Sequence, residues 1–530
     1  MHTDEAPVLI AGGGMVGLCA AAFLAQRGIR SVAIERLKVS SPLPRAAFFH
    51  MRTLEMFRSL GIEAAVRAAS VRDFVPEGSI VAMDSLSGRK LADIMPSLNE
   101  GVEALSPCRR LYLNQPSLEP ILRERARTAG ASVIQGAEVT DVAQDADGVT
   151  VTVTDIDSGS QRELRGRYLL AADGGHSKVR ELLGIGYEGL GTFSNSLTIY
   201  FTADLSPWIG DKAWSIIYVS NPVLAGFFRM NRTSQAGFLA VNVLGDPRRD
   251  PHAAANAAVD VSDSQLTALV RAGVGVPDLP VKIDGFTRWR ATACVAQKFQ
   301  DKRIFLLGDA AHLMPPNGGF GGNTGIHDAH NLAWKLALVL RGHAPTCLLD
   351  TYAGERKPVA EFTVGQAFSR YVARTAPWLQ SNYVTAPIVP DFEIELGYLY
   401  GSQTGLHADP AETRGMPGSR APHVWLTRAG ADLSTLDLIG NHVLLAGPAA
   451  TQWADAAVDA AASLGGVPLD AYRVGWDLGD AGDRFAATYG ISSDGASLVR
   501  PDGFIAWRSH GESADRVGVL RAALSRSLGH

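Results

Sequence analysis

Apolar and polar positions in the first 35 residues predict a strand, a turn, a helix and a second strand. The apolar run Val8–Ala11 is typical of a short buried strand, and the Ala- and Leu-rich stretch that ends near Gln26 is typical of a helix. Gly28 is placed to end that helix, and Ser31–Glu35 resumes an extended apolar pattern. Together these segments predict a βαβ unit of about 30 residues.

The same periodicities predict elements along the rest of the chain. Helical spacing occurs at 51–57, at 117–127 and in a long segment that begins near Asn323 and continues to Leu340. Strand patterns occur at 131–153, 167–172, 197–202, 214–219, 238–243 and 303–307, and those between 190 and 290 indicate a sheet-rich insertion. After a Pro/Gly cluster at 415–418, strand patterns at 443–446, 472–474, 497–500 and 504–508 indicate a separate α/β unit.

The composition narrows the class of protein. Of the 530 residues, 46% are hydrophobic and 19% are charged, which is close to the soluble globular average and excludes disordered, collagen-like and coiled-coil chains. The 49 basic and 54 acidic residues give a net charge of −5 without a long basic tract, so nucleic acid is not an expected partner. No run of roughly 18 apolar residues predicts a membrane span, and the acidic N-terminus does not resemble a secretory signal, which favours the cytoplasm.

Metal and disulfide chemistry are not expected. Cys19, Cys108, Cys294 and Cys347 lie far apart and form no CxxC pair. This spacing supports neither a zinc knuckle nor a disulfide framework. Candidate chemistry is instead concentrated in glycine-rich and acidic turns that follow predicted strands.

The first of these turns, Gly12-x-Gly14-x-x-Gly17, lies between the first predicted strand and the first predicted helix. In this position Gly12 permits a tight turn, Gly14 lets the backbone approach a pyrophosphate, and Gly17 allows close packing of helix on strand. Glu35 ends the second strand, where its carboxylate can accept both hydroxyls of a ribose. The combination predicts a dinucleotide site, and the carboxylate favours FAD or NAD over a nucleotide with a 2′-phosphate.

Two further predicted strands end in acidic turns, Asp173-Gly174 and Gly308-Asp309. Either aspartate alone is more often a turn former or a helix N-cap than a functional residue. In this order, however, the three motifs resemble those of the class A flavoprotein aromatic hydroxylases, the family of p-hydroxybenzoate hydroxylase and phenol hydroxylase. The resemblance extends over residues 7–360.

The resemblance implies an FAD site. Gly308-Asp309 matches the motif whose carboxylate binds the ribityl chain, and Asp173-Gly174 matches the motif near both the flavin and the reduced nicotinamide. Arg45, in Pro44-Arg45-Ala46, matches an arginine beside the flavin, and Gln115 matches a glutamine on the cofactor side. Without the family, both would be read as ordinary polar surface residues. Further expected FAD contacts are Met15, Val16 and Arg36.

The segment 315–323 is expected to lie against the flavin. Pro316 would rigidify the approach, and Gly319, Gly321 and Gly322 would let the backbone lie flat against a ring system. The helix that begins near Asn323 would point its N-terminal N–H groups at the ring and stabilise the reduced flavin, which is anionic at N1. A glycine-rich surface loop without a ligand is the alternative.

The predicted substrate chamber lies between the insertion sheet and this segment. The candidate lining residues are Tyr218, Arg229, Asn242 and Pro316, and further ones are His50, Asn195, Tyr200, Phe227, Phe228 and Trp289. Aromatic residues in strands belong more often to a core than to a pocket, and no motif identifies a catalytic base.

The tail also resembles a known domain. Residues 417–423 and 498–503, with Trp507, resemble the thioredoxin-like tail of phenol hydroxylase and of the aromatic polyketide hydroxylases. The tail lacks the CxxC pair that thiol–disulfide chemistry needs, so a structural or association role is expected, and a homodimer is favoured over a monomer.

The predicted fold class is therefore α/β, with a Rossmann-like FAD-binding domain, a sheet-rich substrate-domain insertion and a thioredoxin-like C-terminal domain. The FAD-binding domain is expected at 1–78, 104–190 and 286–395, including the long helices. The substrate domain is expected at 79–103 and 191–285, and the C-terminal domain at 415–530.

The resemblance implies a single-component monooxygenase that hydroxylates a phenolic or hydroxy-heteroaromatic compound through a C4a-hydroperoxyflavin. It would use O₂ and NAD(P)H, with NADPH favoured, and no second GxGxxG fold is visible for the nicotinamide. The Ala/Arg-rich composition favours natural-product biosynthesis, while degradation of phenolic xenobiotics is an alternative. Two further alternatives are a flavin oxidoreductase without aromatic hydroxylation and a flavin-binding module without catalysis. The intact glycines and acidic residues of the three motifs argue against the flavin-binding module.

Overall fold

The computed structural model describes residues 6–40, 48–245, 261–401, 406–511 and 513–529. The strands are β1 (Val8–Ala11), β2 (Ser31–Glu35), β3 (Phe48–Phe49), β4 (Ser79–Met83), β5 (Lys90–Met95), β6 (Leu111–Tyr112), β7 (Ser132–Gln135), β8 (Ala137–Gln144), β9 (Val149–Asp155), β10 (Gln161–Gly166), β11 (Tyr168–Ala171), β12 (Tyr187–Thr202), β13 (Trp214–Ser220), β14 (Leu224–Met230), β15 (Ala236–Leu244), β16 (Lys282–Ala296), β17 (Gln300–Asp301), β18 (Ile304–Leu306), β19 (His312–Leu313), β20 (Trp425–Arg428), β21 (Ala431–Ser434), β22 (His442–Ala446), β23 (Leu469–Arg473), β24 (Ala496–Val499) and β25 (Ile505–Ser509).

The helices are α1 (Met15–Gln26), α2 (Met51–Ser59), α3 (Glu63–Asp73), α4 (Gln115–Thr128), α5 (Lys178–Leu182), α6 (Ser206–Ile209), α7 (Asp263–Val274), α8 (Phe320–Leu340), α9 (Thr351–Arg374), α10 (Asp391–Leu396), α11 (Trp453–Ser463), α12 (Phe485–Tyr489) and α13 (Arg516–Ser527). Within the described residues, none of these helices combines the length and the apolar character that crossing a membrane requires.

A six-stranded sheet carries the nucleotide motifs. Its order is β17-β18-β11-β1-β2-β7, and β1 pairs in parallel with both β2 and β11. Every side chain of β1 and β11 is buried, as expected for parallel strands covered on both faces. Because parallel strands direct their carboxyl ends to one edge, the turns after β1, β2, β11 and β18 gather there. The predicted Rossmann-like βαβ unit is confirmed.

An eight-stranded sheet, in the order β19-β16-β12-β15-β14-β13-β4-β5, forms the second layer. Residues alternate between its two faces: Ile217 and Phe228 pack with Val270 of α7 in a separate core, whereas their neighbours face the other way. Strands β12 and β16 run continuously past the predicted domain boundaries at 190/191 and 285/286. The division of the chain into domains therefore stays a prediction.

The C-terminal unit, residues 406–529, has its own four-stranded sheet in the order β23-β22-β24-β25. Leu444 and Leu498 of this sheet pack with Trp453 of α11 and Leu520 of α13, so the unit has an α/β core. The predicted fold class, a Rossmann-like domain with a sheet-rich insertion and an α/β C-terminal domain, is confirmed.

Two helical features differ from the sequence predictions. Helix α8 begins at Phe320 rather than near Asn323, because Gly319 adopts a left-handed conformation (φ +69°) and caps the helix. Helix α9 lies within 286–395, where long helices are expected, but the sequence analysis assigns it no bounds, and Pro358 interrupts its pattern. In the structure, packing against α8 and the large sheet stabilises α9 despite this proline.

Candidate active site

The three glycines of the turn after β1 differ in what a side chain would meet at each position. A Cβ atom on Gly12 (φ +97°) would lie 2.2 Å from the Ala172 carbonyl oxygen, and one on Gly17 would lie 2.0 Å from the Gly12 carbonyl oxygen. A Cβ on Gly14 would meet only Glu119 Oε1, at 3.9 Å. The fold therefore requires the first and third glycines, whereas Gly14 leaves open space that a ligand can occupy.

Glu35 lies beside this turn, at the end of β2. Its Oε2 accepts a hydrogen bond from the Gly13 N–H at 2.6 Å, and its Oε1 accepts one from the Leu37 N–H at 2.8 Å. These bonds fix the carboxylate at the edge of the cleft. Each oxygen has a second lone pair, so the predicted ribose contact is sterically and chemically open.

Asp173 supports the start of helix α5 through hydrogen bonds. Its Oδ1 accepts from the Ser177 hydroxyl at 2.5 Å, and its Oδ2 accepts from the Val179 N–H at 3.1 Å, at the start of α5. Burial raises the pKa of Asp173 above its ordinary value, although these hydrogen bonds oppose the effect. The aspartate thus supports a helix and lines the cleft at the same time.

The turn that carries Asp309 is held from behind by helix α8. Asp328 Oδ2 accepts from the Gly308 N–H at 3.1 Å and contacts His312 Nε2 at 2.8 Å, while Asp328 Oδ1 accepts from Arg356 at 2.7 Å. Asp328 and Arg356 are fully buried. This ion pair fixes the backbone on which Asp309 is presented to the cleft.

Asn323 joins the glycine-rich segment to strand β3. Its Nδ2 donates to the carbonyl oxygens of Gly319 (2.6 Å) and Phe48 (2.8 Å), and its Oδ1 accepts from the His50 N–H (3.0 Å) and the Thr53 hydroxyl (2.6 Å). All four bonds of the amide are therefore used inside the protein. Asn323 therefore has a structural role, and its predicted contact with the cofactor stays a prediction.

The cleft itself is a single cavity of about 490 Å³ that runs from the glycine turn to the large sheet. The predicted cofactor residues that line it are Gly12, Gly14, Met15, Val16, Glu35, Arg36, Gln115, Asp173, Asp309, Pro316, Gly319, Gly321, Gly322 and Asn323. Gly17 lies behind them, in the contact of α1 with Gly12. Arg45 lies outside the described residues, so its predicted place beside the flavin stays a prediction.

At the other end of the cleft, one face of the large sheet forms an apolar wall. Tyr218, Phe227 and Arg229 were predicted there, and the structure brings all three to the cleft together with Pro316 and His50. The wall also contains residues that the sequence analysis missed: Ile80, Met95, Tyr112, Ile216 and Phe238. Ile80, Ile216 and Phe238 follow the two-residue alternation of their strands, which is the signal that could have identified them.

Several predicted pocket residues lie elsewhere. Asn242 is a correction: it is 1% exposed and donates to Ser196 Oγ at 3.2 Å, beneath α9, where Tyr371 bonds Ser194. Helix α9 covers this end of the sheet and separates Asn242 from the cleft. Phe228 points to the opposite core, and Asn195, Tyr200 and Trp289 are also absent from the cleft lining.

His50 lines the cleft and precedes α2. Its Nε2 lies 2.9 Å from the Gly318 carbonyl oxygen, which can only accept a hydrogen bond, so Nε2 carries the proton. Burial lowers the pKa of His50 below 6.5, and the ring is therefore neutral at pH 7. In that tautomer Nδ1 is the basic nitrogen.

Two carboxylates of α10 line the cleft, and each is paired with an arginine. Glu395 bonds Arg110 at 2.8 Å, and Asp391 bonds Arg370 at 2.8 Å. Burial would raise the pKa of Asp391, but the charge and hydrogen bond of Arg370 lower it below the ordinary value. Both carboxylates are therefore held in ion pairs at the edge of the cleft. Among the described residues, no group of three or more His, Cys, Asp or Glu side chains is placed to hold a metal ion.

Family models match most of the chain. A model described as FAD binding domain matches residues 5–367, and one described as aromatic-ring hydroxylase, C-terminal, matches residues 414–530. The first match covers the glycine turn, both acidic turns and the segment 315–323. The second covers nearly all of the C-terminal unit.

Named relatives match over the whole length. The chain is 49% identical to 4-methyl-5-nitrocatechol 5-monooxygenase of a Burkholderia species, over 99% of this chain and 98% of the relative. It is 38% identical to tetracenomycin A2 monooxygenase-dioxygenase of Streptomyces glaucescens, over 100% of this chain and 98% of that relative. Among solved structures, a ternary complex of aklavinone-11 hydroxylase with FAD and aklavinone matches with a TM-score of 0.90 and 35% identity, over 100% of both chains.

Proposed function

The chain belongs to the family of FAD-dependent aromatic-ring monooxygenases, and from this premise we propose that it hydroxylates a phenolic ring bound between the segment 315–319 and the apolar wall of the large sheet. The observation that carries the proposal is the continuity of the cleft, in which the glycine turn and the aromatic wall belong to one cavity. A cavity of this kind allows a nucleotide cofactor and a small aromatic molecule to meet.

The residues around the glycine turn fit an FAD. The open space at Gly14 and the free N–H groups of Met15 and Val16 suit a pyrophosphate at the N-terminus of α1. Glu35 would bind the ribose, and Asp309 would bind the ribityl chain. A bound FAD would supply redox chemistry, since electrons from a nicotinamide would allow one atom of O₂ to enter the ring and the other to leave as water. We assign Arg36, Gln115 and Asp173 to the same site as further contacts.

The N-terminus of helix α8 contributes a positive electrostatic potential to the cofactor site, beside the segment 315–319. Its first turn lies at Phe320–Asn323, and no acidic residue stands in that turn. The unpaired N–H groups of a helix N-terminus favour negative charge nearby. We therefore assign α8 the stabilisation of negative charge on a reduced flavin, which Gly319 and Gly321 would help to hold.

His50 is the proposed proton acceptor for the substrate hydroxyl. A ring carbon becomes a better nucleophile when its hydroxyl loses a proton, and a neutral imidazole is a suitable base near pH 7. The Gly318 carbonyl fixes the tautomer in which Nδ1 is free to take that proton. The position of His50 in the cleft lining supports this role.

The apolar wall would keep water away from the reacting oxygen. Ile80, Ile216, Phe227 and Phe238 offer no hydrogen-bonding side-chain atoms at this end of the cleft. Excluding water from a site prevents hydrolysis and unproductive breakdown of reactive species. The same flat aromatic surfaces suit a planar ring as ligand.

A hydroxylated ring of a natural product is the first substrate candidate. Tetracenomycin A2 monooxygenase-dioxygenase and aklavinone-11 hydroxylase are named for tetracenomycin A2 and aklavinone, and both match this chain along its length. A small acidic catechol is the second candidate. The relative named 4-methyl-5-nitrocatechol 5-monooxygenase supports it, since it is 49% identical to this chain, compared with 38% and 35% for the two proteins above. We propose NADPH as the favoured nicotinamide for either substrate.

The direct test uses the purified holoenzyme. We would record its visible spectrum and follow NADPH and NADH oxidation with catechols, nitrocatechols, hydroxypyridines and hydroxylated anthraquinones. The proposal expects a yellow protein whose NADPH oxidation rises many-fold with one of these compounds, and a product heavier by one oxygen atom. Oxidation that no aromatic compound accelerates would favour a flavin oxidoreductase without hydroxylation, and a non-aromatic oxidation product would overturn the proposal.

Assembly and location are separate proposals. We propose that the chain acts as a homodimer and that it resides in the cytoplasm. Analytical ultracentrifugation of the holoenzyme tests the first, since a monomer across the micromolar range would contradict it. Fractionation of the native cells tests the second.

A further inference from the structure

Arg229 is a buried cation that forms no ion pair within the described part of the chain. It lies on β14, is 4% exposed and lines the cleft. Its Nε and Nη2 are buried and have no hydrogen-bond partner. No carboxylate of the described residues pairs with it, whereas three other buried arginines, Arg110, Arg356 and Arg420, each bond a carboxylate.

An unpaired charge in this position is unfavourable for the protein alone. Burying a charge is costly unless it is paired and hydrogen-bonded. Burial lowers the pKa of Arg229 to about 9, so the guanidinium is nevertheless charged at pH 7. A group that burial disfavours, and that the fold leaves without a partner beside a cavity, indicates a ligand of opposite charge.

Two rings fix the guanidinium in place. The Arg229 Cζ atom lies 4.1 Å from the ring centre of Phe74 and 5.2 Å from that of Tyr112. These cation–π contacts orient the group but leave Nε and Nη2 without a hydrogen-bond acceptor. The Tyr112 side chain lines the same cleft, and its hydroxyl is likewise buried without a partner.

We propose that Arg229 and Tyr112 form a subsite for an oxyanion attached to the aromatic substrate, either an ionised hydroxyl or a carboxylate. The inference rests on the proposed function, because the anion enters as part of the ring that is hydroxylated. Arg229 and Tyr112 supply donors, while Ile216 and Phe227 beside them supply apolar contacts for the rest of the ring. Recognition of this kind would select acidic phenols over neutral ones.

The cleft lining also contains Arg36 and Arg123, neither of which is buried, and Arg374, which does not compete for this role. It is only partly buried, so water can solvate its charge. It also lies in the field of Asp391, whose pKa it helps to lower. Arg229 is buried from water, and Asp73, whose charge acts on it through space and opposes the effect of burial on its pKa, forms no ion pair with it.

Equilibrium binding to the oxidised holoenzyme tests the proposal without turnover. Ligand binding is followed by the change in flavin absorbance, with 4-nitrocatechol as the acidic ligand and 4-methylcatechol as its neutral counterpart. Hydroxybenzoate and hydroxybenzamide form a second pair, which distinguishes a carboxylate from an ionised hydroxyl. Free nitrate and acetate show whether an anion binds without a ring.

Arg229→Met is expected to weaken binding of the acidic member of at least one pair by about tenfold or more. The neutral members should change by less than about twofold. Tyr112→Phe should weaken the same acidic ligand, by a smaller factor. Arg232→Met, which removes an exposed arginine near the end of the same strand, is the matched control and should leave both affinities unchanged.

Thermal stability gives a readout that does not depend on substrate choice. Arg229→Met removes an unpaired buried charge, so its ligand-free midpoint should equal or exceed that of the wild type. The acidic ligand should raise the midpoint of the wild type more than that of the variant.

Equal losses for acidic and neutral ligands in Arg229→Met, or no loss for either, would overturn the oxyanion subsite. If the wild type hydroxylates neutral phenols and shows no preference for acidic ones, the subsite is wrong while the proposed function stands. If no phenol is hydroxylated but acidic aromatic ligands still bind through Arg229, the proposed function fails and the subsite stands.

Discussion

Arg420 of the C-terminal unit forms a two-pronged ion pair with Glu55 of helix α2. Its Nε donates to Glu55 Oε2 at 3.0 Å, and its Nη2 donates to Glu55 Oε1. Both side chains are buried, and Glu55 also accepts from Arg52 at 3.0 Å. Because α2 follows directly after His50, this pair connects the C-terminal unit to the helix that begins at the cleft.

Replacing Arg420 by Met is expected to destabilise the holoenzyme by about 3–5 kcal/mol, the usual cost of breaking a buried ion pair. The substitution leaves the buried Glu55 carboxylate with Arg52 as its cationic partner and the Ser106 hydroxyl as a neutral donor. Differential scanning calorimetry should show a lower midpoint, and the Glu55→Gln, Arg420→Met double variant should recover part of the loss. Arg414→Met, at an exposed arginine of the same unit, is the control; a wild-type midpoint in Arg420→Met would contradict the prediction.

Alanine substitutions in the glycine turn should separate folding from cofactor binding. Gly17→Ala is expected to prevent stable folding, because the added Cβ would lie 2.0 Å from the Gly12 carbonyl oxygen. Gly14→Ala should fold, since its Cβ meets only Glu119 Oε1 at 3.9 Å, but should lose FAD affinity by about tenfold or more. Circular dichroism of the apoprotein reports folding, and titration of flavin fluorescence reports affinity. Wild-type FAD affinity in Gly14→Ala would contradict the proposed pyrophosphate site.

The sequence predicts the structure best where the residues that form a feature lie close together along the chain. The apolar run of β1, the glycine turn and Glu35 lie within 35 residues, and the structure assembles them as the pattern predicts. The predicted runs at 214–219 and 238–243 lie inside β13 and β15 for the same reason. Alternation along these strands then decides which side chains reach the cleft.

Contacts between distant residues have no such local signal. Tyr112 reaches the cleft from the two-residue strand β6, and Asp391 and Glu395 reach it from the short helix α10. Asn242 lies on a strand of the sheet that faces the cleft, but α9 covers it, and the expectation of long helices at 286–395 does not show where α9 packs. The Arg420–Glu55 pair joins residues 365 positions apart.

Buried neutral histidines should make the fold sensitive to acid. Burial lowers the pKa of His327 and His330 well below 6.5, and that of His442 to about 3. In the unfolded chain these rings bind a proton near pH 6.5, so the unfolded state holds more protons below that pH. The free energy of unfolding should therefore be highest above pH 6.5 and fall as the pH drops towards 4, by up to about 1.4 kcal/mol per pH unit for each ring.

Urea midpoints measured from pH 8 to pH 4 test this behaviour. His442→Gln should reduce the dependence on pH, because its side chain does not titrate. His510→Gln removes an exposed histidine from the same unit and should keep the wild-type dependence. Identical pH profiles for His442→Gln and the wild type would show that His442 does not contribute to acid sensitivity.

His50→Gln is expected to separate substrates by their acidity. Glutamine can still donate to the Gly318 carbonyl but has no basic nitrogen, so kcat for a weakly acidic phenol should fall by about 10²–10⁴-fold. A nitrocatechol that is already ionised at the assay pH does not need the base and should lose much less. Raising the pH should partly restore the variant with the weak phenol, since solvent then removes the proton.

The wild type should behave differently as the pH changes. Because burial lowers the pKa of His50 below 6.5, its kcat with a weak phenol should be independent of pH above about 6.5 and should decrease as acid protonates the ring. The acid limb should be absent from His50→Gln. A variant that loses the same factor with both phenols, at every pH, would show that His50 positions the segment at Gly318 and does not accept the substrate proton.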